Sequence, residues 1–160
     1  MTSAIIVASN FIELGLEQGK PVTPMKLQKL VYLAHGIHLA RFDSPLINED
    51  IEAWNYGPVI RSVYDLFKSW GNRPITEIPE IEFRVGGKVL RSHLELLTND
   101  EKDSISLAWE IGGDLSGPEL SNWSHSIGSP WEKTYKIGGN KRIQRDIIKD
   151  YFITTMKIEA

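Results

Sequence analysis

Residues 51–59, Ile-Glu-Ala-Trp-Asn-Tyr-Gly-Pro-Val, limit what this chain can fold into more than any other segment. The run begins with residues that favour extended structure and reaches Gly57, which tolerates backbone conformations closed to other residues. Pro58 has φ fixed near the helical value and no N–H to donate, which suits the first position of a helix. Trp54 and Tyr56 are two residues apart and would share one face of the extended piece. The stretch therefore predicts a rigid corner at which a short strand turns into a helix.

Apolar residues recur at helical spacing along most of the chain, and capping signals divide them into about six helices. Thr23-Pro24 opens the second helix, and the segments that start at Thr98 and Ser116 each form a capping-box pattern. The predicted helices cover residues 2–18, 24–41, 58–70, 98–111, 116–125 and 143–156, with another turn or short helix opening at 129–131.

The doubled glycine Gly86-Gly87 separates two short apolar runs and predicts a β-hairpin, with continuation of a helix through Leu94 as the competing interpretation. The chain has 160 residues, of which 41% are hydrophobic and 24% charged, as is typical of one globular domain. The expected fold class is mainly α (α+β): a single compact domain over residues 1–160, with about six helices and a small β-hairpin or short antiparallel sheet.

The charge and the absence of cysteine exclude several classes of protein. A formal net charge of −3 argues against a strongly electrostatic hold on DNA, although a local basic face stays open. Without cysteine there can be neither a disulfide framework nor a thiolate metal site. No apolar run approaches the length of a membrane span, and residues 4–8 lack the basic flank of a signal peptide. We therefore expect a soluble, cytoplasmic protein.

The sequence carries no recognised catalytic or metal-binding signature. His35 and His38 are three residues apart and could bind a metal with His93 or His125, but such pairs more often belong to a solvated face or a polar core contact. Ser124 and His125 are neighbours on a predicted helix and point about 100° apart, so they cannot form a nucleophile and base. We expect His125 to anchor a turn, and we expect neither catalysis nor a metal or cofactor.

Basic and aromatic residues supply the candidates for binding. Lys26 and Lys29 lie in the opening turns of a predicted helix, where the helix dipole disfavours them, so they are either a solvated helix start or contacts for acidic groups of a partner. Aromatic residues are mostly core, yet Trp, Tyr and Arg also dominate binding energy at interfaces. We assign Trp54 and Trp131 to the core, and to a binding surface we assign three residues near the corner: Tyr56, Arg61 and Tyr64.

Four blocks of sequence together resemble a known family. They are Lys-Leu-x-Lys-Leu-x-Tyr at 26–32, Ala-Trp-x-x-Gly-Pro-Val at 53–59, Leu-Ser-x-x-Ser-His at 120–125 and Pro-Trp at 130–131. In this order, the blocks resemble the Panacea family of antitoxin domains, also described as SocA-like or phage-associated, over roughly residues 14–152. Residues 1–15 and 154–160 show no matching motif.

The resemblance implies a protein that neutralises a cognate toxin, encoded nearby, by direct contact. The alternative is a phage- or prophage-encoded adaptor that binds a partner and delivers it to host machinery such as a protease. The residues assigned to partner binding are Lys26, Lys29, Tyr32, Tyr56, Arg61 and Tyr64. Those assigned to the architecture are Ala53, Trp54, Gly57, Pro58, His125, Pro130 and Trp131. Because the family is paired with many unrelated toxins, the resemblance does not identify the toxin.

Overall fold

The computed structural model describes residues 1–80, 83–90, 96–136 and 138–160, and in these ranges the protein is mainly α with a small sheet, as predicted. The helices are α1 (Ala4–Gln18), α2 (Pro24–Phe42), α3 (Arg61–Phe67), α4 (Asn99–Gly112), α5 (Gly117–Ser124), α6 (Pro130–Tyr135) and α7 (Arg145–Thr154). A 3₁₀ turn (Lys68–Trp70) continues α3. The strands are β1 (Glu52–Trp54), β2 (Gly57–Val59), β3 (Phe83–Val85), β4 (Lys88–Leu90) and β5 (Lys141–Arg142).

Helix α2 is the centre of the fold, with α1, α4, α5 and α7 packed around it. Fifteen of its 19 residues are buried, so it has almost no solvent-facing side. Gly36 allows α7 to pack closely against α2, because a Cβ at that position would lie 2.3 Å from the ring of Phe152 in α7. The polar side chains of α2 are therefore enclosed with the apolar ones and need partners inside the protein.

The helix starts confirm the capping signals of the sequence. Thr23 caps α2, and both predicted capping boxes form, with Thr98 and Glu101 at the start of α4 and Ser116 and Glu119 at the start of α5. Ser129 caps α6 by accepting a hydrogen bond from the backbone of the first turn. Each cap satisfies backbone donors that would otherwise lack partners, so local sequence is enough to fix where these helices begin.

The corner at residues 51–59 is a β-hairpin, and the predicted strand-to-helix junction is wrong. Strands β1 and β2 pair antiparallel, with Trp54 opposite Gly57 and Ala53 opposite Pro58. Gly57 has a φ of 113°, which favours glycine, and Pro58 is tolerated because β2 is an edge strand of the sheet order β2-β1-β5. Helix α3 consequently begins at Arg61 instead of Pro58.

Strand β5 pairs with the other edge of β1 and was not predicted. The backbone N–H of Asn140 donates to the carbonyl of Ala53, and that of Ile143 donates to the carbonyl of Ile51, both at 2.7 Å. The strand has two exposed residues, Lys141 and Arg142, so no apolar alternation marks it in the sequence.

The hairpin at Gly86-Gly87 is confirmed, with β3 paired antiparallel to β4. The two glycines have φ values of 57° and 81°, the left-handed conformation that a two-residue hairpin turn requires. The competing helix through Leu94 falls partly on residues 91–95, which lie outside the described residues, as does His93. Across the described ranges, no helix is both long and apolar enough to span a membrane.

Candidate functional site

A cleft of about 700 Å³ opens where the start of α2, the β1–β2 hairpin, α3 and residues 139–140 come together. Its walls carry Trp54, Tyr56, Tyr64 and Phe67, and amide side chains such as Asn55 contribute polar groups. Apolar walls with a few polar groups are the usual composition of a binding site. The cleft lies at the corner that the sequence singled out.

The aromatic rim of this cleft consists of four residues that line it and one that packs on Trp54: Trp54, Tyr56, Tyr64 and Lys68, with Arg61. The rings of Trp54 and Tyr64 meet edge to face at 4.9 Å, and the guanidinium of Arg61 lies 5.2 Å from the centre of the Trp54 ring. The ammonium of Lys68 lies 6.0 Å from the Tyr64 ring. Tyr56 is 70% exposed and Tyr64 is 42% exposed. Of the predicted trio, Tyr56 and Tyr64 thus line the same cleft and Arg61 packs on Trp54, although the role of the three in binding stays a prediction.

Trp54 belongs to this rim and is half-buried, so its assignment to the core is wrong. Ala53 is the residue of β1 that points into the core, and the alternation of a strand then sends Trp54 to the outer face. Its indole N–H donates to Glu52, which also pairs with Arg61 at 3.1 Å. Sequence reasoning missed Glu52 and Lys68, yet strand spacing links Glu52 to Trp54 and helical spacing links Lys68 to Tyr64.

Lys26 and Tyr32 lie inside the protein and not on the rim. Lys26 is 5% exposed, donates to the carbonyl of Gly113 at the end of α4 and lies 5.5 Å from the Trp109 ring. Burial lowers the pKa of Lys26, while Asp114 acts in the opposite direction.

Tyr32 is 1% exposed and packs against Trp123 in α5 and Phe152 in α7, each at 5.7 Å between ring centres. Burial also raises its pKa. Because α2 is surrounded on all sides, both Lys26 and Tyr32 contact other helices. Their predicted place on a partner surface is corrected.

Lys29 is buried beneath the hairpin and borders the cleft. Its ammonium donates to the carbonyl of Pro58 at 3.3 Å and has no carboxylate partner among the described residues. Loss of hydration lowers the pKa of Lys29 to about 8. A Cβ at Gly57 would lie 2.7 Å from Lys29 Cε and 2.6 Å from Ser124 Oγ. Three of the four sequence blocks therefore meet around this one lysine.

Helices α5 and α6 hold the turn of the hairpin in place. The Ser121 hydroxyl donates to the carbonyl of Tyr56 at 2.9 Å, and the indole N–H of Trp131 donates to the carbonyl of Trp54 at 2.6 Å. The ring of His125 lies with Nδ1 2.7 Å from the carbonyl oxygen of Ser121 and Nε2 3.2 Å from that of Asn55.

The ring of Trp131 packs edge to face on the ring of His125 at 4.0 Å. Trp131 is half-buried and packs against the hydrophobic core, and Pro130 occupies the first turn of α6. His125 anchors the turn, as the sequence predicted, and the exposed Tyr56 sits on a fixed backbone.

The remaining candidates for chemistry have ordinary structural partners. His35 accepts from the backbone N–H of Ile47, and burial lowers its pKa to about 3, whereas His38 contacts the hydroxyl of Ser104. Ser124 donates to the carbonyl of Ser121 and not to a histidine. Within the residues that the structure describes, no group of three or more histidine or acidic side chains could hold a metal ion.

Comparisons with known proteins agree with the resemblance seen in the four blocks. The family model of the antitoxin SocA-like, Panacea domain matches residues 27–132, a segment that contains Lys29, the β1–β2 hairpin, α5 and the first turn of α6 with Trp131. The chain is also similar to Antitoxin SocA of Caulobacter vibrioides, with 32% identity over 142 residues that cover 82% of this chain and 72% of that protein. No solved structure matches the chain. Together the two matches support an antitoxin role.

Proposed function

Since the chain belongs to the SocA-like Panacea family of antitoxin domains, we propose that it neutralises a cognate toxin, encoded nearby, by binding it directly through the aromatic rim. The observation that carries this proposal is the exposed Tyr56 on its fixed turn, at a cleft that is also lined by Trp54, on whose ring Arg61 packs. Trp, Tyr and Arg supply most of the binding energy at protein interfaces. The protein acts as a stoichiometric inhibitor and not as an enzyme, and it meets its toxin in the cytoplasm.

The geometry of the rim favours tight binding because little has to be ordered when a partner arrives. Trp54 lies on a strand, Arg61 and Tyr64 lie on α3, and the backbone of Tyr56 is held by Ser121. Side chains fixed in advance lose less conformational entropy on association than side chains on a mobile loop. The cleft beside them gives an apolar side chain of the toxin a place to enter.

Co-expression tests the proposal. The neighbouring gene should stop growth when expressed alone, and this chain should restore growth and copurify with its product. Tyr56→Ala and Arg61→Ala should each weaken the complex tenfold or more, by about 1.4 kcal/mol, because each removes an exposed side chain that is proposed to contact the toxin. Titration calorimetry measures the affinity, and circular dichroism checks that each variant is folded.

Leu16→Ala is the matched control, since Leu16 is 47% exposed on α1 and does not line the cleft. It should bind like the wild type. Wild-type affinity of both rim variants would show that the toxin binds another surface. Recovery of a host protease without any toxic neighbour would favour the adaptor function instead.

A further inference from the structure

Lys29 carries a positive charge that the described part of the protein does not compensate. Its side chain is 1% exposed, and a single hydrogen bond to the carbonyl of Pro58 satisfies one of its three ammonium protons. The other cations around the cleft have acidic neighbours, with Arg61 3.1 Å from Glu52 and Lys68 3.7 Å from Asp65. Buried charges in proteins are normally paired, so Lys29 is the exception at this site.

The surroundings of Lys29 hold the lysine at the cleft instead of letting it reach solvent elsewhere. Gly57 and Ser124 lie on one side of the end of the side chain, where a Cβ on Gly57 would come 3.3 Å from Nζ. Gln28, the preceding residue of α2, exchanges two hydrogen bonds with the backbone of Ile60 and fixes the chain on that side. The cleft is the open space that Lys29 borders.

We propose that the cleft receives an aspartate or glutamate side chain from a segment of the toxin, whose carboxylate pairs with the ammonium of Lys29 while flanking apolar residues pack on the aromatic rim. This inference rests on the proposed function and specifies the chemistry of the partner. A carboxylate would supply both the missing charge and acceptors for the two free protons. Beside the apolar walls of the cleft, a charge-assisted hydrogen bond is stronger than at a fully hydrated surface.

The chemistry of the cleft can be tested without knowing the toxin. A random twelve-residue peptide library displayed on phage is panned against the full chain, and the bound sequences are compared with those recovered by Lys29→Met. We expect the wild type to enrich peptides with one acidic residue between apolar or aromatic residues, and Lys29→Met to lose the acidic preference. Lys102→Met is the matched control, because Lys102 is exposed on α4 outside the cleft.

A charge-swap cycle then assigns the contact. The best peptide is synthesised with its acidic residue and with the corresponding amide, and both are titrated into wild type and Lys29→Met. On the wild type, the amide peptide should bind at least tenfold more weakly than the acidic peptide. On Lys29→Met, the affinities of the two peptides should differ by less than twofold. If Lys29→Met does not fold, the test uses the wild type alone, by comparing its affinities for the acidic and the amide peptide.

Three results would overturn the inference. The wild type could enrich peptides that lack an acidic residue, or it could enrich no peptide at all. Alternatively, the change from acid to amide could weaken binding equally in the wild type and in Lys29→Met. Inorganic phosphate and acetate can also be compared as competitors of the acidic peptide. If phosphate displaces the peptide from the wild type at a lower concentration than acetate does, and this binding of phosphate requires Lys29, the result would instead point to a phosphate-bearing ligand. None of these results depends on toxicity, so the antitoxin proposal stands or falls separately through co-expression.

Discussion

At the scale of single residues, Lys29 links binding to stability. Burial lowers its pKa from 10.5 to about 8, because the ammonium loses its hydration. In the unfolded chain the amine keeps its proton up to its ordinary pKa, so between these two pH values the unfolded state binds more protons than the native state. The free energy of unfolding therefore rises with pH across this window, by about 3 kcal/mol in total. Below pH 8 the native protein bears the full cost of the buried charge.

Replacing this cation with an apolar side chain of similar length should stabilise the protein. We expect the free energy of unfolding of Lys29→Met to exceed that of the wild type by about 3 kcal/mol at pH 7 and by about 1 kcal/mol at pH 9.5. Urea titrations at the two pH values measure the difference. Lys102→Met should show no difference at either pH. If Lys29→Met is less stable than the wild type at pH 7, the buried charge destabilises the native state less than its desolvation indicates.

Such a gain in stability would accompany a loss of affinity, because the same ammonium is proposed to pair with the toxin. Residues kept at a cost to the native state are common at functional sites, where they are prepared for a ligand. The opposite signs of the two effects separate a binding residue from one that only supports the fold. Loss of both stability and affinity would favour the structural role.

At the scale of the secondary-structure elements, the β1–β2 hairpin depends on Gly57 for two independent reasons. A φ of 113° strains any residue with a side chain, and a Cβ would clash with Lys29 Cε and Ser124 Oγ. Backbone strain and overpacking each cost about 1–3 kcal/mol, so Gly57→Ala should lower the free energy of unfolding by about 3 kcal/mol or more. Chemical denaturation of the purified variant measures this loss.

Gly19→Ala isolates the contribution of backbone conformation. Gly19 ends α1 with a φ of 65° and has open space around it, so alanine there should cost only about 1 kcal/mol. Equal losses for the two variants would show that contact with Lys29 and Ser124 adds nothing at Gly57. A smaller loss for Gly57→Ala than for Gly19→Ala would contradict the described hairpin.

The elements also show which parts of the fold could be predicted from sequence. Helix starts at Thr98 and Ser116 follow from residues within one turn of each other, and the structure confirms them. The burial of Lys29 could not be predicted in this way, because it depends on helices that are distant in sequence from α2. Strand β5 likewise exists only through its pairing with β1. Local signals were sufficient for these two helix starts, and long-range packing decided which side chains face solvent.

The same division applies to the candidate site. Tyr56 and Arg61 were predicted to lie at the surface, and both do. The usual burial of large aromatic residues predicts a core position for Trp54, whereas strand alternation beside the buried Ala53 sends it outward. The hairpin brings Trp54 into contact with residues of α3, and the sequence alone did not indicate this contact.

At the scale of the whole molecule, the region that matches the family is smaller than the unit that forms the core. Residues 27–132 leave out α1 and α7, yet both pack on α2. Phe152 of α7 is fully buried, fills the space above Gly36 and contacts the rings of Tyr32 and Trp123. The sequence resemblance extends over roughly residues 14–152 and so includes most of α7, and packing makes this final helix part of the support for the central one.

Phe152→Ala should therefore destabilise the protein by about 3–5 kcal/mol, as expected for removing a buried aromatic ring from a close-packed core. The neighbouring Ile153 is 41% exposed, so Ile153→Ala should cost less than about 1 kcal/mol. Urea denaturation followed by tryptophan fluorescence compares the two variants, since Trp123 lies 6.1 Å from Phe152. If Phe152→Ala costs no more than Ile153→Ala, α7 does not support α2.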